Sequence, residues 1–204
     1  MIIKKTAKKI KYNLRATMCV LRRTLFRPLY KIKVPVFKKM NFEKCVKIGS
    51  GTRVYLYNGS MCVGHDTVIC NYSKFIIGDG KLIIGSNCLL GEYGIYNTFS
   101  DIIIGDNVIT ADRISFVTNI HHYDDISVPI KEQPSDSKSI EIGDGSWIGM
   151  NATILAGSKI GKNCIVAAHC VVKGVFPDYC VIAGVPGRVV TQYNFDTKKW
   201  EKIS

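Results

Sequence analysis

No CxxC pair occurs in the chain, although its 204 residues include eight cysteines. That absence weakens a zinc or redox reading of the thiols. There is also no uninterrupted apolar run of about 18 residues, the length that marks a membrane-crossing helix. The pattern of a secretory leader is missing as well. Export and membrane spanning are therefore not expected, and the cytoplasm is the expected compartment. Acidic residues are nearly missing from the start of the chain. Met1 to Lys44 holds fourteen Lys or Arg against the single acid Glu43, whereas the remainder carries 14 basic and 15 acidic residues. The formal charge of +12 thus belongs to an N-terminal segment. No nucleic-acid-binding motif or aromatic platform accompanies it, so nucleic acid is not an expected partner.

Helical periodicity is missing from most of the chain, and a period of six stands in its place. Ile142, Ile148, Ile154, Ile160, Val166 and Val172 are aliphatic and six residues apart. Four positions after each of the first five come Ser146, Ala152, Ser158, Cys164 and Cys170, all small. A helix repeats near 3.6 residues and a strand near 2, so neither alone accounts for this spacing. It fits a coil of short strands with one aliphatic side chain per repeat stacked inward, a parallel β-helix built from hexapeptides. Glycines such as Gly143, Gly149 and Gly161 are expected to permit the corner conformations. Cys88, Cys164 and Cys170 fall in the small inward slot, where a thiol acts as a compact hydrophobe rather than as half of a disulfide.

The expected organisation has three parts: a basic segment over 1–45, the coil over 46–190, and a cap over 191–204. Met1 to about Arg27 reads as a helix in which Ile10, Leu14, Met18, Leu21 and Leu25 are spaced by lysines and arginines, until Pro28 breaks it. Such a helix can lie on an anionic membrane surface at the inner face of the membrane. It can equally pack on the domain or on a neighbouring subunit. Early repeats such as Ile48-Gly-Ser-Gly and Ile77-Gly-Asp-Gly are imperfect, and the register slips by two residues between Ile84 and Ile104. The period fails altogether between Thr118 and Ile142. This polar gap, about 119–141, contains two prolines and cannot continue the coil; a loop of that length inside a solenoid is usually functional or disordered, and its histidines favour function. His121 and His122 lie in it. Thr191 to Ser204, with Tyr193, Phe195 and Trp200 among charges, is expected to form a short helix closing the coil end. His65 and His169, single histidines within repeats, read as structural.

Three stretches resemble the hexapeptide-repeat acyltransferases, in the branch that acetylates sugars and includes the galactoside, maltose and nodulation-factor acetyltransferases. Ile142-Gly-Asp-Gly-Ser-Trp-Ile-Gly-Met-Asn-Ala-Thr-Ile-Leu is similar to the family's IGDxxWIGxNAxIL. Val166-Ala-Ala-His-Cys-Val-Val-Lys matches a second motif, with Cys170 where the family has serine, and Ala183-Gly-Val-Pro-Gly-Arg matches a third. The resemblance implies an all-β, left-handed parallel β-helix, a homotrimer, and acetyl-CoA bound between neighbouring subunits without a metal. It places the catalytic histidine at His121, since His121-His122-Tyr123-Asp124 is similar to the branch's NHxYD; Ile120 stands where that pattern has Asn, and His122 is the alternative base. Asp124 or a backbone carbonyl would hold the imidazole tautomer. Trp147 would border the pantetheine arm or simply pack on the coil. Ala167 and Ala168 would line the same groove, Lys173 and Arg188 would meet CoA phosphates, and Glu92 would contact the acceptor.

The chemistry suits these residues. Acetyl transfer to a hydroxyl needs a base that is neutral near pH 7 yet accepts a proton as the alkoxide forms, and imidazole is such a base. The expected activity is O-acetylation of a sugar or polysaccharide precursor. The alternatives are N-acetylation of an amino sugar, an antibiotic-modifying relative, and a hexapeptide scaffold without chemistry.

Overall fold

Six residues make one short strand and one tight corner, and three such units close one turn of coil. The computed structural model describes residues 39–203; the helix expected over 1–27 lies outside them. The coil has three walls of parallel strands, here called sheets A, B and C, with seven, nine and six strands. Sheet A runs from Met40–Phe42 to Val175–Phe176, and sheet C from Arg53–Leu56 to Val171–Val172. Sheet B starts at Lys47–Ile48 and continues past the last coil. The all-β parallel solenoid read from the sequence is therefore the fold.

Inward positions stack in register from coil to coil. Phe42, Val63, Ile84, Ile104, Ile142, Ile160 and Phe176 form one column. On sheet C, Val54, Phe75, Tyr96, Phe116, Ile154 and Val172 form another. Within it Phe75, Tyr96 and Phe116 stack at centroid distances of 4.6 and 5.2 Å. Burial pushes the Tyr96 phenol well above its ordinary range. The small slot has its own logic. Ser146 Oγ donates to Gly161 O at 3.0 Å and Ser158 Oγ to Val172 O at 3.1 Å, so each hydroxyl ties its coil to the next inside an otherwise apolar core. Cys88, Cys164 and Cys170 are buried in the same slot as free thiols, as expected.

The steps between walls are not equal. From sheet A to B and from B to C the inward positions are six residues apart in every coil, as in Phe42–Ile48–Val54 and Ile142–Ile148–Ile154. From sheet C back to A the step varies. Val54 to Val63 takes nine residues, Tyr96 to Ile104 eight, Ile154 to Ile160 six and Val172 to Phe176 four. The two-residue slip after Ile84 and the long gap after Thr118 both belong to this C–A corner.

The corners also correct the reading of the glycines. At the A–B corner the left-handed residues are Cys45, Asp66, Asn87, Asn107, Gly145, Asn163 and Tyr179; at the B–C corner they are Gly51, Tyr72, Tyr93, Arg113, Asn151 and His169. Most are not glycine. Asn and Asp tolerate this region better than most residues, but the tyrosines and Arg113 adopt it only because the stacked coil holds them there. Gly143, Gly149 and Gly161 have no positive φ; they are set by close approach. A Cβ on Gly143 would lie 2.5 Å from the Gly161 carbonyl carbon, and one on Gly149 2.6 Å from the Ala168 nitrogen.

A second correction concerns the end of the chain. The expected C-terminal helix is a β-hairpin, in which Gly187–Asn194 pairs antiparallel with Cys180–Gly184 and then with Lys199–Lys202. The aromatics decide this. Tyr193 meets Phe195 and Trp200 edge-on at 5.1 and 5.4 Å, a cross-strand cluster that a helix would scatter. Asn194 Oδ1 accepts from the backbone N–H of Asp196 and Thr197, fixing the turn.

Candidate functional site

Where the period fails, the chain leaves the coil as a two-stranded ribbon. Asn119–His121 pairs antiparallel with Ser135–Ser137, matching Ile120 to Asp136 and His121 to Ser135. The ladder extends at both ends, through Lys138 N donating to Thr118 O at 2.9 Å and His122 N donating to Pro134 O at 3.0 Å. Asn97 Nδ2, on the coil beneath, donates to Asn119 Oδ1 at 3.1 Å and so ties the ribbon to sheet C. The tip is organised by its own side chains. Asp125 Oδ1 accepts from Ser127 N and Oγ, which holds its carboxyl below the usual carboxylate range. Gln133 Nε2 donates to the Asp125 and Val128 carbonyls, and Ile130–Glu132 makes one 3₁₀ turn.

Strand alternation sends neighbouring side chains to opposite faces. His121 therefore shares a face with Asn119 and Ser135, and His122 lies on the other face with Ile120 and Asp136. His121 is exposed and makes no hydrogen bond or ion pair among the described residues. His122 Nε2 lies 3.0 Å from Asp136 Oδ2. Asp124, expected with a backbone carbonyl as a holder of the imidazole tautomer, is exposed and makes no hydrogen bond or ion pair with either ring among the described residues. Sequence reasoning missed Asp136 because it lies 14 residues from His122. Only the antiparallel register, a pairing of two short polar segments, brings the two together.

The remaining nominated residues fall in two places. Lys173 follows the sheet C strand Val171–Val172, at the same C–A corner as the ribbon and two coils further on. Lys138 on the returning ribbon strand passes over this corner, its side chain 3.4 Å from where a Gly157 Cβ would stand. Trp147, half exposed at 51%, projects outward from sheet B, the wall opposite that corner. It continues a stripe of Leu89, Ile109 and Ile165 on the same outer face. Ala167 and Ala168 lie at the B–C corner beside that wall, and Arg188 is exposed in the strand paired to Ala183. Arg188 Nη1 donates to Gly187 O at 3.0 Å.

Glu92 is not with the ribbon. It sits at the B–C corner, three residues before the sheet C strand Ile95–Thr98, and its carboxylate accepts from Asn71 Nδ2 at 2.6 Å. His65 hydrogen-bonds the Asp66 carboxylate at 3.0 Å, and His169 Nε2 lies 3.3 Å from Asn151 Nδ2, so both have local partners on the coil. Among the described residues no group of three His, Cys, Asp or Glu side chains is placed to hold a metal.

Comparison with known proteins gives the arrangement a context. The model of the bacterial transferase hexapeptide (six repeats) matches residues 139–174. WbbJ of Escherichia coli, named for O-acetyl transfer in lipopolysaccharide biosynthesis, is 32% identical over 132 residues, which cover 61% of this chain and 67% of WbbJ. A Mycobacterium tuberculosis protein named as an acetyltransferase is 39% identical over 112 residues, 55% of this chain but only 37% of that protein's length. A galactoside acetyltransferase solved in complex with coenzyme A has the same fold, with a TM-score of 0.55 and 21% identity over 95% of this chain and 88% of that one.

Proposed function

The chain belongs to the hexapeptide-repeat acetyltransferases, and from that premise we propose that it moves acetyl from acetyl-CoA to a hydroxyl of a sugar or polysaccharide precursor, with His121 as general base. One observation carries the reading. A loop imidazole stands exposed on an ordered ribbon that the coil's core does not need, with both ring nitrogens uncommitted. The relatives' names supply the reaction class.

The transfer balances without a covalent enzyme intermediate. Neutral His121 accepts the proton of the acceptor hydroxyl as its oxygen attacks the thioester carbonyl. The new C–O bond gives a tetrahedral oxyanion, which backbone N–H groups on a rigid wall can stabilise. Collapse breaks the C–S bond, and the imidazolium returns its proton to the departing thiolate. The buried cysteines take no part. Burial raises the pKa of Cys88, Cys170 and Cys180, opposite to the shift a nucleophilic thiol needs.

The chain's residues fit the donor in their chemistry. Trp147 offers an apolar face to a pantetheine arm, Ala167 and Ala168 leave the backbone open beside it, and the exposed cations Lys173 and Arg188 suit phosphates. Within one chain, however, Trp147 lies on the wall opposite the ribbon's corner. This separation supports a homotrimer in which the ribbon of one copy meets the sheet B side of the next, and the apolar stripe on sheet B supports the same packing. The experiment is a screen of sugar and lipid-linked sugar acceptors with acetyl-CoA, read by free thiol, beside sedimentation of the protein. Acceptor-dependent thiol release from a trimer is the expected result; a stable monomer with no release on any hydroxyl overturns the reading.

The basic N-terminal segment extends the proposal to an anionic membrane surface, where lipid-linked precursors would be met. Full-length protein should float with anionic vesicles in low salt and lose binding as salt screens the lysines, and a variant lacking residues 1–40 should not float. Equal flotation of both would remove the membrane from the account.

A further inference from the structure

Resting on the reading that His121 is the base, we propose that His122 and Asp136 form a clasp across the ribbon and act as positioning residues for His121. A two-stranded ribbon of three residues a side is marginal on its own. Its ladder joins Asn119 to Ser137, Ile120 to Asp136 and His121 to Ser135. On one face the Asn97–Asn119 bond anchors the base of the ribbon to the coil. On the other face, one residue beyond His121, His122 Nε2 meets Asp136 Oδ2 at 3.0 Å. His121 thus sits between an anchor at residue 119 and a clasp at residue 122, which together fix the strand that carries it.

The ring atom used by the clasp is the informative detail. His122 engages its partner through Nε2, the nitrogen at the far end of the ring. Nδ1, the nitrogen left over, makes no hydrogen bond or ion pair among the described residues. A ring tied at its tip to the opposite strand holds that strand in register, and the adjacent ring, facing the other way, is left for chemistry. Misplacing a catalytic group by about 1 Å can cost on the order of 10²-fold in rate. Among the described residues no other side-chain hydrogen bond or ion pair joins the two strands of the ribbon.

The test compares His121→Ala, His122→Ala, His122→Gln, Asp136→Asn and the double variant His122→Ala/Asp136→Asn. Two readouts are used: thiol release from acetyl-CoA with maltose and methyl β-galactoside as acceptors, and amide hydrogen exchange of the ribbon, which needs no acceptor. His122→Gln is decisive, because a glutamine amide can donate to Asp136 from about where Nε2 stands but cannot serve as a base. The clasp predicts that His122→Ala and Asp136→Asn each lower kcat by about 10- to 100-fold with KM for acetyl-CoA unchanged. The double variant should be no worse than either, and His122→Gln should recover most of the rate. Exchange at the His121 and His122 amides should quicken in His122→Ala and Asp136→Asn and stay slow in His122→Gln.

Full activity and unchanged exchange in Asp136→Asn, with His121→Ala inactive, overturn the clasp and leave the proposed function standing. Equal loss in His122→Gln and His122→Ala, with slow exchange in the former, makes His122 the base and overturns the clasp. Activity retained in His121→Ala overturns the reading on which the clasp rests.

Discussion

The two corners beside sheet B and the corner between sheets C and A follow different rules in the same coil. At the first two, every step is six residues, and a left-handed residue recurs in every coil. At the third, the step runs from four residues, Val172 to Phe176, to the whole segment from Phe116 to Ile142. Past the histidine ribbon the difference lies in backbone contact. Gly143 sits directly against Gly161 in the next coil, so an added residue there has nowhere to go. A Cβ on Gly157 would meet only the flexible Lys138 side chain, and one on Gly174 would meet nothing within 4 Å among the described residues. The corner is not open throughout, since a Cβ on Gly59 would meet the Gly80 carbonyl oxygen and one on Gly80 the Ser100 backbone; the loose coils are those past the histidine ribbon.

The largest expected effect separates the ribbon from the coil outright. His121→Ala should lower kcat by on the order of 10²–10⁴, the usual contribution of a general base, while thermal unfolding of the coil and calorimetric CoA affinity stay nearly unchanged. A matching loss of thermal stability would mean that the ribbon is part of the core. The second prediction tests the corners against each other with the same three-residue insertion. Placed after Gly157 at the C–A corner, it should cost less than about 1 kcal/mol, the scale of a modest loop extension. Placed after Asp144 at the A–B corner, it breaks a stacked turn and should cost about 1–3 kcal/mol or more, the scale of overpacking. Denaturant midpoints decide, and equal midpoints would erase the distinction.

The smallest effect contrasts exposed and interior thiols. Burial, reinforced by Cys164 with its Sγ 3.6 Å away, pushes the Cys180 thiol up to about 12. Among the described cysteines, Cys45, at an exposed A–B corner, should react first with iodoacetamide in the folded protein, and Cys180 only after unfolding. The linkage has a definite sign. A folded pKa raised above the ordinary thiol value of about 8.5 means that the unfolded chain releases its proton first. Stability from this group is fully present below about 8.5 and is lost as pH rises toward about 12. Replacing Cys180 with alanine should flatten the alkaline limb of the stability–pH curve, and an unchanged limb would show that the loss arises elsewhere.

Much of this was legible in the residues. The period from Ile142 to Val172 needed no structure because its coils have three six-residue steps, so wall positions follow directly from numbering. The earlier coils were blurred only at the C–A corner, where extra residues between Val54 and Val63 hid a register that is intact on the other two walls. The imidazoles were legible because a polar, proline-bearing gap inside a solenoid is conspicuous. Asp136 was not, since its link to His122 depends on an antiparallel pairing of Asn119–His121 with Ser135–Ser137 that carries no hydrophobic alternation. The terminal aromatics misled for a related reason. Tyr193, Phe195 and Trp200 among lysines are compatible with either a helix face or a hairpin, and the choice rests on contacts across a turn.

The terminal hairpin also bears on whether the coil can grow at this end. A stack of parallel walls has directional ends, and a bare end could accept the next molecule head to tail and propagate a filament. Sheet B here runs two strands past the last coil, through Gly187–Asn194 and Lys199–Lys202, while sheets A and C stop at Phe176 and Val172. The three edges are therefore not level, and another coil cannot seat on all of them together. Lys199 and Lys202 on the outermost strand add charge to the one edge that protrudes. At this end the coil thus offers no level face on which an identical turn could stack.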